Sequence, residues 1–588
     1  MVVVSIFHAQ WYCIEHELLL SRFKHVKTGY HIDLSCMEGT RRSLLNQIMD
    51  WAADDSTQGA GSNTFWVYGP PGIGKTSLAH SICARLHQRN HFAGAFFCQR
   101  DDPHLSNPGN ILLTFIHNLT RKLPPFRSIV ARQLRNNPET TLTSMAEALL
   151  HDFLHSLPRQ PKRTLVFVID ALDECGDTRS RPAILKALTD AAAQAPWMRI
   201  IITSRPEADI ARFFDTHAHS SHLRYDLGVD HEASTDLRIF AQVEFDWVAR
   251  QRRLSTPWPE ESVFDQVISR ANGLFIFIKT VALALAHLDN PTWSLNAILE
   301  YSAGAGSSSL YGLYTGILQS RIPPSNGEFR QVIGVIFATA PYRSLRTETM
   351  AELVGVRPEM VRKWVDDLHS LLYRDEGANG AIRVRHSSIS EFFISEECPY
   401  DYRVNPKQAN IQLGVACLTT MVDQLCFNIC KLEDSRLANT DIEDLHSRIE
   451  RNISDALQYS CLNWSNHLCS NFKNDDQRGQ EQLKKFFEGC YPLFWIEVLS
   501  LMGMVSISIP TLQRVILTWV KASTAPAWSL LGYSNVLLGQ RCDASRENRR
   551  DSSFHHDLPS SYLPEHSAHL SFNATVPTLT VALVDSLH

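Results

Sequence analysis

Compact apolar runs alternate with longer segments of helical periodicity through the first two fifths of the chain. The apolar runs, each short enough to be a buried strand, are found at 65–68, 95–98, 165–169 and 199–203. Between them, segments 111–123 and 182–195 repeat apolar residues at helical spacing. This alternation predicts an α/β core, in which a parallel sheet is flanked by helices and ligand sites lie at the carboxyl ends of the strands.

Helical patterns dominate the rest of the chain. A Gly/Ser-rich stretch at 303–309 is followed by a helix-turn-helix pattern at 347–372 and by a hairpin pattern around Gly377 and Gly380, which together predict a winged-helix domain. The tail is rich in Ser, His, Asn and Pro, and we expect it to be disordered. The predicted order is a leader (1–30), a helical lead-in and linker (31–63), the α/β core (64–225), a helical domain (226–302), the winged-helix domain (310–400), an all-helical region (405–520) and the irregular tail (521–588).

Charge and cysteine content restrict the possible partners. A formal net charge of −6 over 588 residues provides no overall basic field for nucleic acid or anionic lipid. The 13 cysteines show neither zinc-type spacing nor a disulfide framework, and the first residues lack the basic start of a signal peptide. Two longer apolar runs are interrupted by Lys279 and Glu497, and we expect both to be buried helices. The sequence thus predicts a cytoplasmic protein without a nucleic-acid or membrane partner.

The most specific motif is a phosphate-binding loop directly after the first apolar run. It reads Gly69-Pro70-Pro71-Gly72-Ile73-Gly74-Lys75-Thr76, which satisfies G-x4-G-K-[ST] with a strand pattern before it and a helix pattern after it. Glycines let backbone N–H groups turn toward phosphate oxygens, and the helix N-terminus adds its positive end. We expect Lys75 to bridge the β- and γ-phosphates, Thr76 to ligate Mg²⁺, and Ser77 to belong to the same nucleotide-binding set.

Three acidic residues follow the third apolar run. Asp170 ends that run and is the expected Mg²⁺ ligand, either directly or through water. Asp173 and Glu174 are candidates for the base that orients and deprotonates the attacking water, and their spacing does not distinguish between them. Each of these two could also be a hydrated surface acid.

Arg205 follows the fourth apolar run. At a strand end in the same sheet, its guanidinium could reach a γ-phosphate and report its presence. The alternative is a surface arginine before the turn at Pro206.

These motifs resemble those of NACHT-type STAND NTPases, the signal-transducing switch ATPases and GTPases that include the nephrocystin 3-like amino-terminal module of large fungal proteins. Segment 170–174 is similar to the family's Walker B variant, 203–206 to its sensor 1, and 386–393 to its winged-helix histidine motif. The lead-in at 36–41 and the segment at 271–275 also resemble family segments. The resemblance covers about residues 31–515.

The resemblance implies a switch. In that family the winged-helix histidine contacts the diphosphate of the resting state, which assigns this role to His386; a purely structural histidine is the alternative. ADP or GDP would hold the closed state. Exchange for ATP or GTP would permit self-association or recruitment of an unidentified effector, as in innate immunity or heterokaryon incompatibility, and slow hydrolysis would reset the switch.

Three alternatives stay open. The chain could be a nucleotide-bound scaffold that does not hydrolyse, or a truncated STAND protein, because no repeat sensor or effector domain is visible in it. It could also be a winged-helix DNA-binding protein with its recognition helix at 358–371. That segment mixes acidic and basic residues, which fits phosphate attraction poorly.

Overall fold

A computed structural model describes most of the chain. The predicted leader and tail lie almost wholly outside the described residues, as does most of the polar linker before the first strand. The described residues are 29–54, 63–136, 163–195, 197–216, 222–229, 232–287, 290–301, 309–378, 380–434, 437–469 and 477–522.

Five parallel strands form the central sheet. In chain order they are β1 (Thr64–Tyr68), β2 (Phe92–Phe97), β3 (Leu165–Asp170), β4 (Met198–Ser204) and β5 (His222–Asp226). Their order across the sheet is β2-β3-β4-β1-β5, and each neighbouring pair is parallel. The predicted α/β fold is confirmed, and the carboxyl ends of all these strands lie at the edge of the sheet that carries the loop after β1.

Helices cover both faces of this sheet. Because side chains alternate along a strand, Trp66 packs with Phe167 on one face, whereas Val67 packs with Val168 on the other. Burial on both faces explains the continuous apolar runs of these strands. The helices of this part are α1 (Arg42–Ala53), α2 (Lys75–Gln88), α3 (Gly109–Lys122), α4 (Pro124–Asn136), α5 (Ser180–Gln194) and α6 (Ala208–Thr216).

The edge strand β5 has no counterpart among the sequence-based predictions. Its sequence, HLRYD, alternates poorly, and its one aliphatic residue, Leu223, is exposed. The strand pairs with β1 over its whole length, from Thr64 opposite His222 to Tyr68 opposite Asp226. Backbone pairing to an existing strand therefore forms it, and this requirement leaves no apolar pattern in the sequence.

A helical segment follows the sheet. It comprises α7 (Ala233–Arg252), α8 (Glu261–Ala271), α9 (Phe275–Ala286) and α10 (Pro291–Tyr301). The apolar helix α9 buries Phe277, Ile278 and Val281, while its Lys279 pairs with Glu244 at 2.8 Å. Of the helices in the described residues, none has the length and apolarity needed to cross a membrane.

The next segment combines helices with a two-stranded hairpin. It comprises α11 (Ser309–Arg321), α12 (Gly327–Thr339), α13 (Thr347–Val354), α14 (Pro358–Asp367), β6 (Leu372–Asp375), β7 (Ala381–Val384) and α15 (Ser387–Ile394). This arrangement is compatible with the predicted winged helix. The second helix of the predicted pair ends at Asp367, because Leu372 pairs with Val384 in the hairpin.

The last described segment is helical, as predicted. Its helices are α16 (Pro406–Gln424), α17 (Leu445–Asn452), α18 (Asp455–Cys469), α19 (Gln477–Glu488), α20 (Tyr491–Leu501) and α21 (Ser508–Ala522). Helices α16 and α18 approach closely at Gly414, where a Cβ would lie 2.8 Å from the backbone nitrogen of Leu468. Any larger residue there would force the two helices apart.

Candidate nucleotide site

The loop after β1 has a backbone that requires glycine at two positions. Gly72 and Gly74 have φ angles of 78° and 94°, in the left-handed region that side chains disfavour. Helix α2 begins at Lys75, directly after Gly74. The strand, loop and helix thus succeed one another in the arrangement that presents a helix N-terminus to an anion.

Lys75 lies over this loop. Its Nζ donates hydrogen bonds to the carbonyl oxygens of Gly69 and Pro70, each at 2.8 Å. Burial lowers the pKa of Lys75 to about 8, and Asp173 opposes this shift. The amine therefore stays mostly protonated at neutral pH, and weak carbonyl acceptors are its partners. An anionic phosphate would be a stronger acceptor for the same group.

Asp170 ends β3 beneath the start of α2. Its side chain is buried, and its Oδ1 accepts a hydrogen bond from Thr203 Oγ1 at 2.5 Å. Burial raises the pKa of Asp170, while hydrogen bonds from Thr203 and Thr76 lower it. The structure therefore brings Thr76 and Asp170 together. Hydroxyl and carboxylate oxygens are ligands suited to Mg²⁺, which in phosphate sites takes few protein ligands, so the donor set fits that ion.

The backbone conformation directly after Asp170 accounts for the small residue, Ala171, at this position. Its φ is 52°, and its backbone N–H donates to Thr203 Oγ1 at 3.1 Å. A β-branched residue would be strained in this conformation.

The two candidate bases lie in different surroundings. Asp173 is buried and is committed to Arg205: its Oδ1 accepts the Arg205 backbone N–H at 2.9 Å, and its Oδ2 lies 3.2 Å from Arg205 Nε. Glu174 is half-buried, and within the described part of the chain its carboxylate accepts only the backbone N–H of Arg100, at 3.3 Å. Burial, with a contribution from Asp173, raises the pKa of Glu174.

Arg205 joins the sheet to the winged-helix-like segment. Besides Asp173, its guanidinium contacts Glu391 Oε1 at 2.5 Å through Nη1 and Ser387 Oγ at 3.0 Å through Nη2. Both of these partners are on α15. The alternative of a solvated surface arginine does not fit this side chain, which is only 14% exposed.

His386 lies beside the candidate phosphate-binding loop and caps α15. A Cβ placed on Gly72 would be 3.9 Å from Cε1 of His386. Its Nδ1 accepts the Ser388 backbone N–H at 3.2 Å and lies 2.7 Å from Ser388 Oγ, which is 2.8 Å from the Tyr314 hydroxyl. Burial, with the charges of Arg205 and Lys75, lowers the pKa of His386 to about 4. The ring is therefore neutral at physiological pH, and because Nδ1 accepts, the proton is on Nε2.

Residues to which the sequence assigned no role at the site also contact the loop. Arg41 donates from Nη2 to the Ile73 carbonyl at 3.1 Å, and its backbone N–H donates to Asp236 at 2.8 Å. The Ile276 backbone N–H donates to the Gly72 carbonyl at 3.2 Å. Neither contact leaves a local pattern. A weak signal existed for Glu391, because it is the single charge in the apolar helix SSISEFFI.

The parallel sheet, the glycine loop after β1 and the buried carboxylate at the end of β3 define a P-loop NTPase-like module. Residues 39–205 match the family described as nephrocystin 3, N-terminal. Over that stretch, the resemblance inferred from the motifs is confirmed.

Distant structural similarities accompany this match. The Walker-type ATPase PABY2304 of Pyrococcus abyssi is 11% identical, with a TM-score of 0.28 over 56% of this chain and 91% of that chain. The Aeropyrum pernix ORC1 protein, solved in complex with DNA, is 13% identical, with a TM-score of 0.29 over 62% and 94%. The RuvB branch migration motor of Thermotoga maritima is 12% identical, with a TM-score of 0.21 over 60% and 94%. No curated protein matches the chain. These similarities are too remote to transfer a ligand or partner.

Proposed function

We propose that this chain is a nucleotide-regulated switch that binds ATP or GTP at residues 69–77, hydrolyses it slowly and thereby controls its own association or the recruitment of an effector. One observation carries the proposal: α15 contacts Arg205, at the end of β4, while His386 at its start lies beside the candidate phosphate-binding loop. The candidate site is thus shared by two parts of the chain that are far apart in sequence. A ligand there can bind two arrangements of the chain with different affinities: a joined one, in which α15 contacts Arg205, and a separated one, in which it does not. Such a difference in affinity is the requirement for a switch.

The loop residues have distinct proposed roles. Lys75 binds the phosphates and Thr76 and Asp170 hold Mg²⁺, while Ser77 and the glycines shape the cradle. When bound, Mg²⁺ would offset the charge of the phosphate oxygens. His386 donates from Nε2 toward a diphosphate in the joined arrangement, because its Nδ1 is already occupied as an acceptor.

The surroundings of the two acids divide their roles. We assign the water-orienting base to Glu174. Among the described residues its carboxylate accepts a hydrogen bond only from a backbone N–H, and burial raises its pKa, which favours proton uptake. Asp173 instead orients Arg205. Slow turnover is in keeping with a timer that resets the switch rather than with metabolism.

The wider biological role follows from the same proposal. The proposal includes self-association in the triphosphate state and an effector of the innate-immunity or heterokaryon-incompatibility kind. It also includes a cytoplasmic location and the domain limits given above. A non-hydrolysing scaffold is the competing proposal, and turnover separates the two.

The DNA-reader alternative gains no support from α14. Arg362 on this helix pairs with Glu348 at 2.7 Å and lies near Glu359, while Lys363 pairs with Asp367. The acids neutralise both cations, so the helix face offers little attraction for phosphates.

The first test is to denature the purified chain and to identify any released nucleotide by anion-exchange chromatography. We expect near-stoichiometric ADP or GDP, and the nucleotide found would show whether the site takes adenine or guanine. The absence of nucleotide, together with no uptake of added ATP or GTP, would refute the switch.

Ser388→Ala should lower the affinity for the diphosphate by about fivefold, or ~1 kcal/mol, because the hydroxyl beside Nδ1 is lost and only the weaker backbone N–H bond is left to hold the His386 proton on Nε2. Titration with ADP or GDP measures the affinity, and ¹⁵N NMR of the histidine ring measures the tautomer. Ser395→Ala is the matched control, since that hydroxyl only donates to the Phe392 carbonyl at the other end of α15. An unaltered tautomer and affinity in Ser388→Ala would remove this role.

A further inference from the structure

Glu391 is the only charged residue in α15. Its neighbours Ile389, Phe392 and Phe393 are buried in the core of the winged-helix-like segment, whereas the Glu391 side chain is 23% exposed and faces the sheet. There its Oε1 lies 2.5 Å from Arg205 Nη1 and 3.9 Å from Arg100 Nη1. The apolar residues hold the helix in its own segment, and the carboxylate connects that segment to the strand end.

The Arg205 guanidinium has its donors divided between two parts of the chain. Nε points to Asp173, which belongs to the same sheet and stays with Arg205 in any arrangement of the segments. Nη1 and Nη2 point to Glu391 and Ser387, which both move with α15. Since these two nitrogens are occupied, Arg205 can bind another anion through them only if α15 withdraws.

Arg205 lies close enough to the candidate phosphate-binding loop for its charge to act on residues of that loop. Both Arg205 and Asp173 act electrostatically on Lys75, so all three groups share one small region. A terminal phosphate bound there would be a second anion beside Glu391, and the two would compete for one guanidinium. A diphosphate lacks that third phosphate group and leaves the Arg205–Glu391 ion pair undisturbed.

We propose that Glu391 is the residue that makes the joined arrangement select a nucleoside diphosphate over the triphosphate. The inference rests on the proposed function and specifies how the site discriminates. Glu391 acts in two ways: it occupies Arg205 when α15 is in place, and it repels the additional phosphate charge. Because linkage is reciprocal, the same residue sets how strongly the triphosphate drives α15 away.

Glu391→Gln tests the selectivity directly. The amide keeps the size of the side chain but loses its charge, so the triphosphate no longer competes with an ion pair. We expect the preference for diphosphate over triphosphate to fall by about tenfold, mainly through tighter binding of the triphosphate. Calorimetric titration of the nucleotide-stripped full chain with ADP and ATPγS, and with GDP and GTPγS, gives both constants.

Three further variants serve as controls. Glu396→Gln is the matched control, because this exposed acid follows the same helix and its carboxylate makes no ion pair in the described residues. Its backbone carbonyl accepts from Arg403, a bond that the substitution keeps, so the preference should stay unchanged. In an Arg205→Gln background, Glu391→Gln should have no further effect on the preference, since its partner is gone. Glu391→Ala, with its melting temperature measured, guards against a failure of folding in any one variant.

The outcomes separate this inference from the proposed function. If the wild-type chain binds neither nucleotide, both proposals fail. If the wild-type chain binds nucleotide and Glu391→Gln leaves the ratio of the two constants unchanged, or weakens both equally, the inference alone is overturned. A tenfold loss of preference in Glu391→Gln that Glu396→Gln does not show, and that is absent in the Arg205→Gln background, supports it.

Discussion

Lys75→Ala should strip the chain of retained nucleotide and lower its affinity for di- and triphosphates by at least about 100-fold. Lys75 is half-buried, and among the residues that the structure describes its ammonium donates only to two carbonyl oxygens of its own loop, from which phosphate oxygens would displace it. Charge-assisted hydrogen bonds of this kind contribute about 1.5–3 kcal/mol each, and the loss of two of them corresponds to at least that factor. Nucleotide content after denaturation and equilibrium titration both measure the effect.

The matched control for this experiment is Lys186→Ala. Lys186 lies on α5 and pairs with Asp190 at the surface, so its removal should leave nucleotide content unchanged. The fold should survive in Lys75→Ala as well, because both lost bonds are to a loop at the surface of the core. Equal nucleotide content in Lys75→Ala and the wild-type chain would place the phosphate site elsewhere.

Glu174→Gln should slow hydrolysis by about 10²–10⁴-fold while binding is retained, because the amide cannot accept the proton of the attacking water. Single-turnover release of phosphate measures the rate. Asp173→Asn should behave differently: it loosens Arg205, and so it should alter the preference between nucleotides as well as the rate. Glu207→Gln, at an exposed acid soon after β4, is the control for both.

The pH dependence of hydrolysis gives a second readout of Glu174. Burial raises the pKa of this carboxyl above its ordinary value, and only the deprotonated form acts as a base. The rate should therefore decline as the pH falls through the raised pKa, at a higher pH than for an unperturbed glutamate. Glu174→Gln should abolish this dependence. If the same pH profile persisted in Glu174→Gln, another group would be the base.

The sheet was largely predictable from the sequence, whereas its edge was not. Strands β1 and β3 are buried on both faces, so their residues must be apolar in succession, and that requirement is visible in any reading of the chain. Strand β5 takes its place by pairing with β1 and has no such requirement. In the same way, α14 ends where β6 pairs with β7, and the helical pattern itself does not show this limit.

Local spacing in the sequence by itself determined the P-loop fold and the positions of Lys75, Thr76 and Asp170, because a glycine loop between strand and helix, and an acid at a strand end, are arrangements of neighbouring residues. Only the tertiary structure decided that Asp173 faces Arg205 while Glu174 does not, and that Glu391 meets Arg205 across 186 residues. Such pairs depend on how separate segments pack. The sequence around a charged side chain has no periodicity from which its distant partner could be predicted.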